Sequence, residues 1–446
     1  MLVLQIAAAN LLAARGRSAL LGSAIALVTG MLVLLLSLAG GLEDNLVRSA
    51  TTLASGHVTV AGFYKAKPTD GTPLVTGAAE VERVIRANTP GLTRLLHRQR
   101  GWGKLIGAGG STQTALAGVD YANEGAMFDS LQFAPESAYR PDGGEARPGD
   151  FSKLAEPGSI VLFVSQAKRI GVQVGDTVTF QAETQGGQTN AIDLQVAAVA
   201  EDMGLLSTFA VFAAIPDVQE LYQLNPDTTG AFWIYLDDLS TAEDAMNHLR
   251  VAFEREGYLL MDHVAAPYFF KFDAVMGEDW TGQKLDLTIW SDEVSFLLWI
   301  LTAFDSLTWT LSLILLGIIA LGIMNALYNA VRERTKEIGT LRAIGMSRMQ
   351  VLGMVLSEAT LLGFAATSVG AVGASLLAIG LDSLDVPITI QAVRFILLAD
   401  TVHLVVRPVA VGMAVVLLTS LTGLAALLPA ARAARLRPVV AMAANE

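Results

Sequence analysis

The stretch that decides the fold is residues 332–345, which read RERTKEIGTLRAIG. It lies between two uncharged runs, residues 306–331 and 359–381. Each run is longer than the roughly 20 apolar residues that cross a bilayer as a helix. We therefore interpret the charged stretch as the connection between two membrane spans.

Two more uncharged runs, residues 19–42 and 408–431, complete the pattern. Arg15 and Arg17 precede the first run, as basic residues do in a secretory signal peptide. The run is too long for the apolar core of such a peptide, and no small-residue cleavage site precedes Glu43. The sequence thus predicts an α-helical membrane protein with four transmembrane helices, the first of them uncleaved.

Charge is distributed unevenly along the chain. Residues 42–290 contain 32 acidic and 18 basic side chains, a net charge of −14, whereas the remainder has a net charge of +2. We predict a large mixed α/β extracytoplasmic domain, inserted between helices 1 and 2. A pI near 5.0 excludes the basic surface of a nucleic-acid-binding protein. The absence of cysteine excludes disulfides and thiolate chemistry.

Basic residues predict the orientation of the spans. Most cations outside the acidic block cluster at one end of the spans: Arg15, Arg17, Arg332, Arg334, Lys336, Arg342, Arg348, Arg432, Arg435 and Arg437. Under the positive-inside rule, that end is cytoplasmic. We therefore expect both termini in the cytoplasm and the acidic block on the opposite side of the membrane.

Patterns within the acidic block predict a mixed fold. Strand-like runs lie at 57–64, 159–163, 177–182, 192–199, 209–215 and 232–236. Residues 77–87 predict a helix, and Ser240 with Glu243 predicts a capping box at the start of another. Residues 135–157 are rich in proline and glycine, which indicates a loop or subdomain boundary.

No catalytic or metal-binding constellation is evident in the acidic block. Its histidines are far apart, and Glu278, Asp279 and Asp286, beside Trp280 and Trp290, are interpreted as a solvated connection to span 2. The phosphate-binding motif GxxxxGK[ST] is absent from the sequence. We expect no catalytic residue, metal or cofactor in this chain; if it is energised, the energy must come from another polypeptide.

The charged connection has the pattern of a short surface helix. Arg334 and Glu337 are spaced to pair on a helix. Ile338, Leu341 and Ile344 recur at three-residue spacing, which predicts a narrow apolar stripe. Such a helix either rests on lipid head groups or docks into a groove on a partner protein. The acids interleaved among the cations favour docking.

Two features mark the start of span 3. Ser347 with Gln350 predicts a capping box. Glu358 is an ionisable residue within the span, and such a residue is by default a candidate functional position. The alternative for Glu358 is a salt bridge to Arg342 or Arg348.

These motifs resemble those of FtsX-like, MacB-type (type VII) ABC transporter permeases. Residues 333–339 and 341–345 resemble the family signature ERTREIG…RAIGA, and Glu358 stands where those permeases carry an acid. Residues 10–12 resemble the family's N-terminal amphipathic helix, and residues 429–441 resemble its closing pattern. One span, a large outer domain and three further spans are also the order of elements in that family.

The resemblance implies a coupling helix that binds an ABC ATPase. Carried over residue by residue, it comprises Arg332, Glu333, Arg334, Thr335, Lys336, Glu337, Ile338, Gly339, Leu341 and Arg342. The resemblance also implies two ATPase subunits, which would bind ATP and Mg²⁺, and a second permease chain, identical or homologous. The assembly would lie in the lipids of the bacterial inner membrane. ATP-driven motion would pass from this helix to spans 1 and 2 and on to the periplasmic domain.

The predicted organisation covers the whole chain. It consists of a cytoplasmic amphipathic helix (1–18), transmembrane helix 1 (19–42), a periplasmic α/β domain (43–290) with subdomain boundaries near 126–157 and 230, transmembrane helix 2 (296–331), the cytoplasmic coupling helix (332–346), transmembrane helix 3 (347–381), a short periplasmic loop (382–407), transmembrane helix 4 (408–431) and a cytoplasmic tail (432–446).

A short stretch predicts the branch of the family. Residues 55–60 (SGHVTV), with Phe63 and Tyr64, resemble lipoprotein-releasing (Lol-type) permeases more than MacB-type pumps. We therefore expect lipoprotein release or trafficking from the inner membrane, with a lipoprotein carrier or periplasmic adaptor as a further partner. Two alternatives stay open: export of a periplasmic substrate through an adaptor and outer-membrane duct, and non-transporting mechanical regulation of a cell-wall hydrolase. No residue is assigned to substrate binding.

Overall fold

The computed structural model describes residues 15–68, 71–129, 131–184, 186–202, 207, 210–384, 386–388 and 401–435. Most of the helix predicted at 1–18, about half of the loop predicted at 382–407 and the tail beyond Arg435 lie outside these residues. The described residues form two compact units. A helical unit draws on 15–44, 300–387 and 401–435, and an α/β domain on 45–299.

The helices and strands follow one another in mixed order along the chain. The helices are α1 (Arg15–Ser49), α2 (Ala78–Asn88), α3 (Tyr121–Phe128), α4 (Glu136–Tyr139), α5 (Val164–Ile170), α6 (Ile215–Tyr222), α7 (Ala242–Arg255), α8 (Tyr268–Gly277), α9 (Trp290–Glu293), α10 (Ser295–Glu333), α11 (Thr335–Ala343), α12 (Arg348–Asp382) and α13 (Pro408–Ala434). The strands are β1 (Val58–Lys65), β2 (Val75–Thr76), β3 (Leu92–Gly107), β4 (Gly110–Val119), β5 (Ser159–Phe163), β6 (Thr177–Glu183), β7 (Thr189–Ala200), β8 (Ala210–Ala214), β9 (Thr228–Thr229), β10 (Ala231–Leu236) and β11 (Gly282–Ile289).

Four of these helices, α1, α10, α12 and α13, are long and apolar enough to cross a membrane. A mixed α/β domain lies between the first and second of them, which confirms the predicted fold class. Helix α10 has 39 residues. At about 1.5 Å per residue it is longer than a hydrocarbon core of about 30 Å requires.

Small residues allow close contact between the spans. A Cβ on Gly370 of α12 would lie 2.2 Å from the Ala26 carbonyl oxygen of α1. A Cβ on Gly363 of α12 would lie 2.8 Å from the Thr422 side chain of α13. Helix association inside a bilayer depends on such close packing, because lipid tails are as apolar as the helix surfaces.

The α/β domain contains a four-stranded antiparallel sheet in the order β11-β1-β10-β3. Helices α2 and α7 pack on one face through a core that includes Val60, Ile85, Phe232 and Leu249. The chain order β1-α2-β3-β10-α7-β11, combined with this strand order, is the split βαβ (ferredoxin-like) arrangement. The elements between β3 and β10 are therefore an insertion into it.

The insertion is built around a closed circuit of strands. Strand β3 has 16 residues, and it pairs first with β10 and then with β4. Pairing between β3 and β6 closes the circuit β3-β4-β8-β5-β7-β6. A Cβ on Gly103 would lie 2.4 Å from the Gln181 carbonyl oxygen, so glycine is required where β6 meets β3. Strand β3 is thus shared by both parts of the domain.

The six predicted strands are present as β1, β5, β6, β7, β8 and β10, and the helix predicted at 77–87 is α2. Two other predictions are wrong. Ser240 caps no helix: its amide donates to Asp238 at 2.9 Å, in a 3-10 turn that precedes α7. Asp286 is not solvated, because it lies in β11, is 1% exposed and accepts hydrogen bonds from Lys271 of α8 at 2.8 Å.

Candidate coupling site at the α11 end of the helical unit

Helix α11 is a separate helix between two membrane spans. A single residue, Arg334, separates it from α10. After it, Gly345 has a φ of +114°, a conformation that glycine adopts at little cost. The Ser347 hydroxyl accepts from the Gln350 amide at 3.2 Å, and the Ser347 amide donates to the Gln350 side chain at 2.8 Å. The predicted capping box at the start of span 3 is therefore confirmed.

Ser347→Ala is expected to destabilise the first turn of α12 by about 1 kcal/mol, because the Gln350 amide loses its acceptor. Hydrogen exchange of the Gln350 backbone amide should become about fivefold faster. The exchange is carried out on the chain in nanodiscs and measured by mass spectrometry. Ser347→Asp keeps an acceptor oxygen and is the control. Equal exchange rates in the two variants would show that the cap contributes nothing.

The inner face of α11 packs on α12 and α13. Ile338 is 3% exposed and Gly339 is buried. Ile338 belongs to an apolar cluster with Val351 and Val355 of α12 and Ala433 of α13. Helix α11 is therefore held against two spans of its own chain.

An ion pair joins the start of α11 to α12. Arg334 Nη1 lies 3.1 Å from Glu358 Oε1 and 3.2 Å from Oε2. The two side chains are only 20% and 14% exposed. Glu358 thus forms a salt bridge, but with Arg334, whereas the sequence suggested Arg342 or Arg348. The predicted pairing of Arg334 with Glu337 is present at 4.0 Å.

The end of α11 is joined to α13. Arg342 Nη1 donates to the Ala434 carbonyl oxygen at 3.1 Å. Nearby in the sequence, the guanidinium carbon of Arg432 lies 4.7 Å from the centre of the Tyr328 ring of α10. Contacts at this end of the helical unit therefore involve α10, α11, α12 and α13.

The opposite side of α11 is exposed. The outer surface of α11, as we call it, consists of Lys336, Glu337 and Leu341 together with Ile344, the residue that directly follows the helix. All four are exposed, Ile344 to 80%. The expectation of a single apolar stripe is wrong, because Ile338 packs inward while Leu341 and Ile344 point outward. A three-residue spacing falls short of the 3.6-residue turn, so positions 338 and 344 lie about 120° apart around the helix.

The predicted coupling-helix residues accordingly have two roles. Five are exposed, namely Arg332, Glu333, Lys336, Glu337 and Leu341; three are half-buried, namely Arg334, Thr335 and Arg342; and two are buried, namely Ile338 and Gly339. The half-buried and buried residues face or bond the chain's own helices. The predicted set omits Ile344, the more exposed of the two aliphatic members of the outer surface.

Titratable groups in the α/β domain have structural partners. His57 Nδ1 accepts from the Leu236 amide at 3.1 Å, and burial, followed by the charge of Arg94, lowers the pKa of this imidazole. His97 Nε2 lies 2.8 Å from Glu82. Within the part of the chain that the structure describes, no group of three or more histidines and acids could hold a metal ion.

A buried ion pair lies where β3 passes from the sheet to the strand circuit. Arg98, 1% exposed, pairs with the fully buried Glu124 of α3. Its guanidinium carbon lies 4.2 Å from the ring centre of Trp233 and 5.6 Å from that of Phe212. Burial raises the pKa of Glu124, partly offset by the charge of Arg98. The pair joins the two parts of the domain.

The helical unit matches a known family. Residues 309–438 match the FtsX-like permease C-terminal family. This part of the chain is an FtsX-like permease region. It includes most of α10 and all of α11, α12 and α13. The outer surface of α11, the Arg334–Glu358 ion pair and the hydrogen bond from Arg342 to Ala434 therefore lie within it. The chain thus carries the membrane region of an FtsX-like permease.

Three solved structures are similar to parts of the chain. The extracellular domain of the noncanonic ABC-type transporter YknZ from Gram-positive bacteria shares 12% identity, with a TM-score of 0.29, over 45% of this chain and 95% of that one. The periplasmic region of MacB from Actinobacillus actinomycetemcomitans shares 12%, with a TM-score of 0.30, over 56% and 96%. A domain of a permease protein from Porphyromonas gingivalis shares 16%, with a TM-score of 0.28, over 52% and 86%. No curated protein matches the sequence.

Proposed function

We propose that this chain couples ATP hydrolysis by a separate ATPase subunit to movement of its α/β domain, as a permease of the mechanotransmission type. The outer surface of α11 carries the proposal. Leu341 and Ile344 form an exposed aliphatic pair beside the charged Lys336 and Glu337. Apolar side chains rimmed by charge are typical of protein docking surfaces.

The anchoring of α11 would let a force on its outer surface reach the spans. The Arg334–Glu358 ion pair leads to α12, and the hydrogen bond from Arg342 leads to α13. We therefore propose that the force passes first to α12 and α13 and to the adjoining α10. The route thus includes spans 3 and 4 in addition to spans 1 and 2. The ATPase can drive this motion only if its contacts with α11 differ between its ATP-bound and free states.

We place α11 and both termini in the cytoplasm and the α/β domain in the periplasm of a bacterial inner membrane. The cations that cluster at the α11 end of the spans support this orientation. The proposed assembly contains two ATPases and a second permease chain. ATP and Mg²⁺ belong to the ATPases.

Lipoprotein release or trafficking is the transport function we favour. The support is the resemblance of residues 55–60, with Phe63 and Tyr64, to lipoprotein-releasing permeases. In this proposal a lipid-anchored protein leaves the outer leaflet of the inner membrane when the α/β domain moves. The export and hydrolase alternatives would use the same motion with a different periplasmic partner.

Affinity purification of the tagged chain from its native membrane tests the proposal. In mild detergent we expect an ABC ATPase in the eluate, together with a permease partner and bound lipoprotein, all identified by mass spectrometry. A periplasmic adaptor in place of lipoprotein would indicate export, and a cell-wall hydrolase would indicate regulation. An intact chain that elutes without an ATPase would contradict the proposal.

A further inference from the structure

A histidine joins α1 and α12 at the end of α1 that precedes the α/β domain. His403 Nδ1 lies 2.7 Å from Asp382 Oδ1 at the end of α12, and its Nε2 lies 3.8 Å from Asp44 Oδ2 in α1. Four residues further on, Arg407 pairs with Glu43 of α1 at 2.7 Å. We call these five residues the His403 cluster.

The segment that carries His403 lies directly on α1. A Cβ on Gly41 would lie 2.0 Å from the His403 carbonyl oxygen, so only glycine allows the segment to approach here. The Val405 amide donates to the Ser37 carbonyl oxygen at 3.0 Å. Residues 401–407, which we call the strap, are therefore in contact with the backbone of α1.

The strap is also bonded to α12. The Leu404 amide donates to Asp382 Oδ1 at 3.0 Å, the same oxygen that His403 contacts. Leu404 itself is 8% exposed. The carboxylate of Asp382 thus holds both the backbone and the imidazole of the strap.

The imidazole is the group in this cluster whose hydrogen-bonding capacity depends on its protonation. A neutral imidazole has a single N–H. If Nδ1 donates it to Asp382, Nε2 has no proton to offer Asp44. The imidazolium has two N–H groups and a positive charge, so it can donate to Asp382 and also form an ion pair with Asp44 at 3.8 Å. Histidine changes charge between about pH 5 and 8, whereas carboxylates and arginine ordinarily do not.

We propose that the His403 cluster is a pH-sensitive clasp, which holds α1 to the strap and α12 more tightly when His403 is protonated. Facing the imidazole are Asp44, with Glu43 beside it on α1, and Asp382 on α12; the strap adds Arg407, whose charge is paired with Glu43. The ion pair of the imidazolium with Asp44 stabilises the closed clasp at low pH, and this contribution is lost as the pH rises. Because α1 precedes the α/β domain in the chain, an acidic exterior restrains α1 at that point.

The absence of cysteine allows the clasp to be measured directly. Leu404→Cys introduces the single thiol of the chain at a buried site. The rate of maleimide labelling of this thiol is measured with the chain in nanodiscs. It is divided by the labelling rate of the same chain unfolded in guanidinium at the same pH. This ratio reports opening of the strap. We expect opening to increase about threefold between about pH 5.5 and about pH 8, as for one partly exposed ion pair.

Two variants in the same background identify the responsible group. His403→Gln removes the titrating group and is expected to abolish the pH dependence. Glu43→Gln with Arg407→Gln removes the neighbouring ion pair, and should loosen the strap at both pH values while the pH dependence remains. Opening that does not change with pH, or a pH dependence that survives in His403→Gln, would overturn the clasp.

A second measurement avoids the introduced cysteine. Hydrogen exchange of the Leu404 and Val405 amides in the otherwise unmodified chain, corrected for the intrinsic effect of pH, reports the same opening. We expect protection to fall about threefold over the same pH range, and no change to be seen in His403→Gln. Neither readout involves an ATPase, so failure of the clasp and failure of the permease proposal can be distinguished.

Discussion

Ile344→Glu is expected to weaken binding of the ATPase subunit at least about thirtyfold. Ile344 is the more exposed of the two aliphatic residues in the outer surface of α11, at 80% against 38% for Leu341. A central apolar residue of a protein interface can contribute about 2 kcal/mol or more, and each 1.4 kcal/mol is a factor of about ten. Folding and insertion should be unchanged, because the side chain is largely in solvent. The measurement is the amount of ATPase that co-purifies with equal amounts of permease.

Leu384→Glu is the matched control. Leu384 is an aliphatic residue of similar exposure, 69%, located just beyond the opposite end of α12. The same change in charge at this position is expected to leave ATPase binding intact. Equal losses in the two variants would show that added charge, not position, causes the effect, and would contradict docking at α11.

Arg334→Met is expected to destabilise the helical unit by about 3 kcal/mol. The change leaves the Glu358 carboxylate, 14% exposed, without the guanidinium that contacts both of its oxygens. Loss of one member of a largely buried pair is costly because water cannot replace it. Denaturant-induced unfolding of the purified chain in mixed micelles measures the effect.

The double variant Arg334→Met with Glu358→Met separates stability from coupling. Replacement of both charges by apolar groups is expected to recover most of the lost stability, since neither charge is then left unpaired. We expect this variant to bind the ATPase, because the outer surface of α11 is intact, but to couple hydrolysis to transport poorly. If Arg334→Met unfolds like the native chain, the ion pair does not anchor α11.

The four spans and the capping box could be predicted because their signals are local. An uncharged run of bilayer length and a Ser-x-x-Gln pair need no knowledge of the rest of the fold. The division of α11 into an inner and an outer side could not be predicted in this way. This division depends on where α12 and α13 pack against α11. The three-residue spacing of Ile338, Leu341 and Ile344 suggested that all three lie on one face, whereas they lie on two.

Other parts of the fold could not be predicted because they bury charged residues. Strand β3 has the sequence LTRLLHRQRGWGKLIG, whose charges suggest a surface segment. Its Arg98 is instead buried against Glu124, a partner from another element. In α8, Lys271 packs inward on Asp286 while Phe270 is 59% exposed, the reverse of the usual pattern. Ion pairs between distant segments determine these burials, and sequence periodicity does not reveal them.

Site-specific photo-crosslinking in the native membrane tests the central claim most directly. A photo-reactive phenylalanine analogue is placed at position 344 of the outer surface of α11 and, as a control, at position 384. We predict a crosslink to an ABC ATPase, identified by mass spectrometry, from position 344 and not from position 384. No ATPase adduct at position 344, or equal adducts at both positions, would contradict the assignment of α11 as the coupling helix.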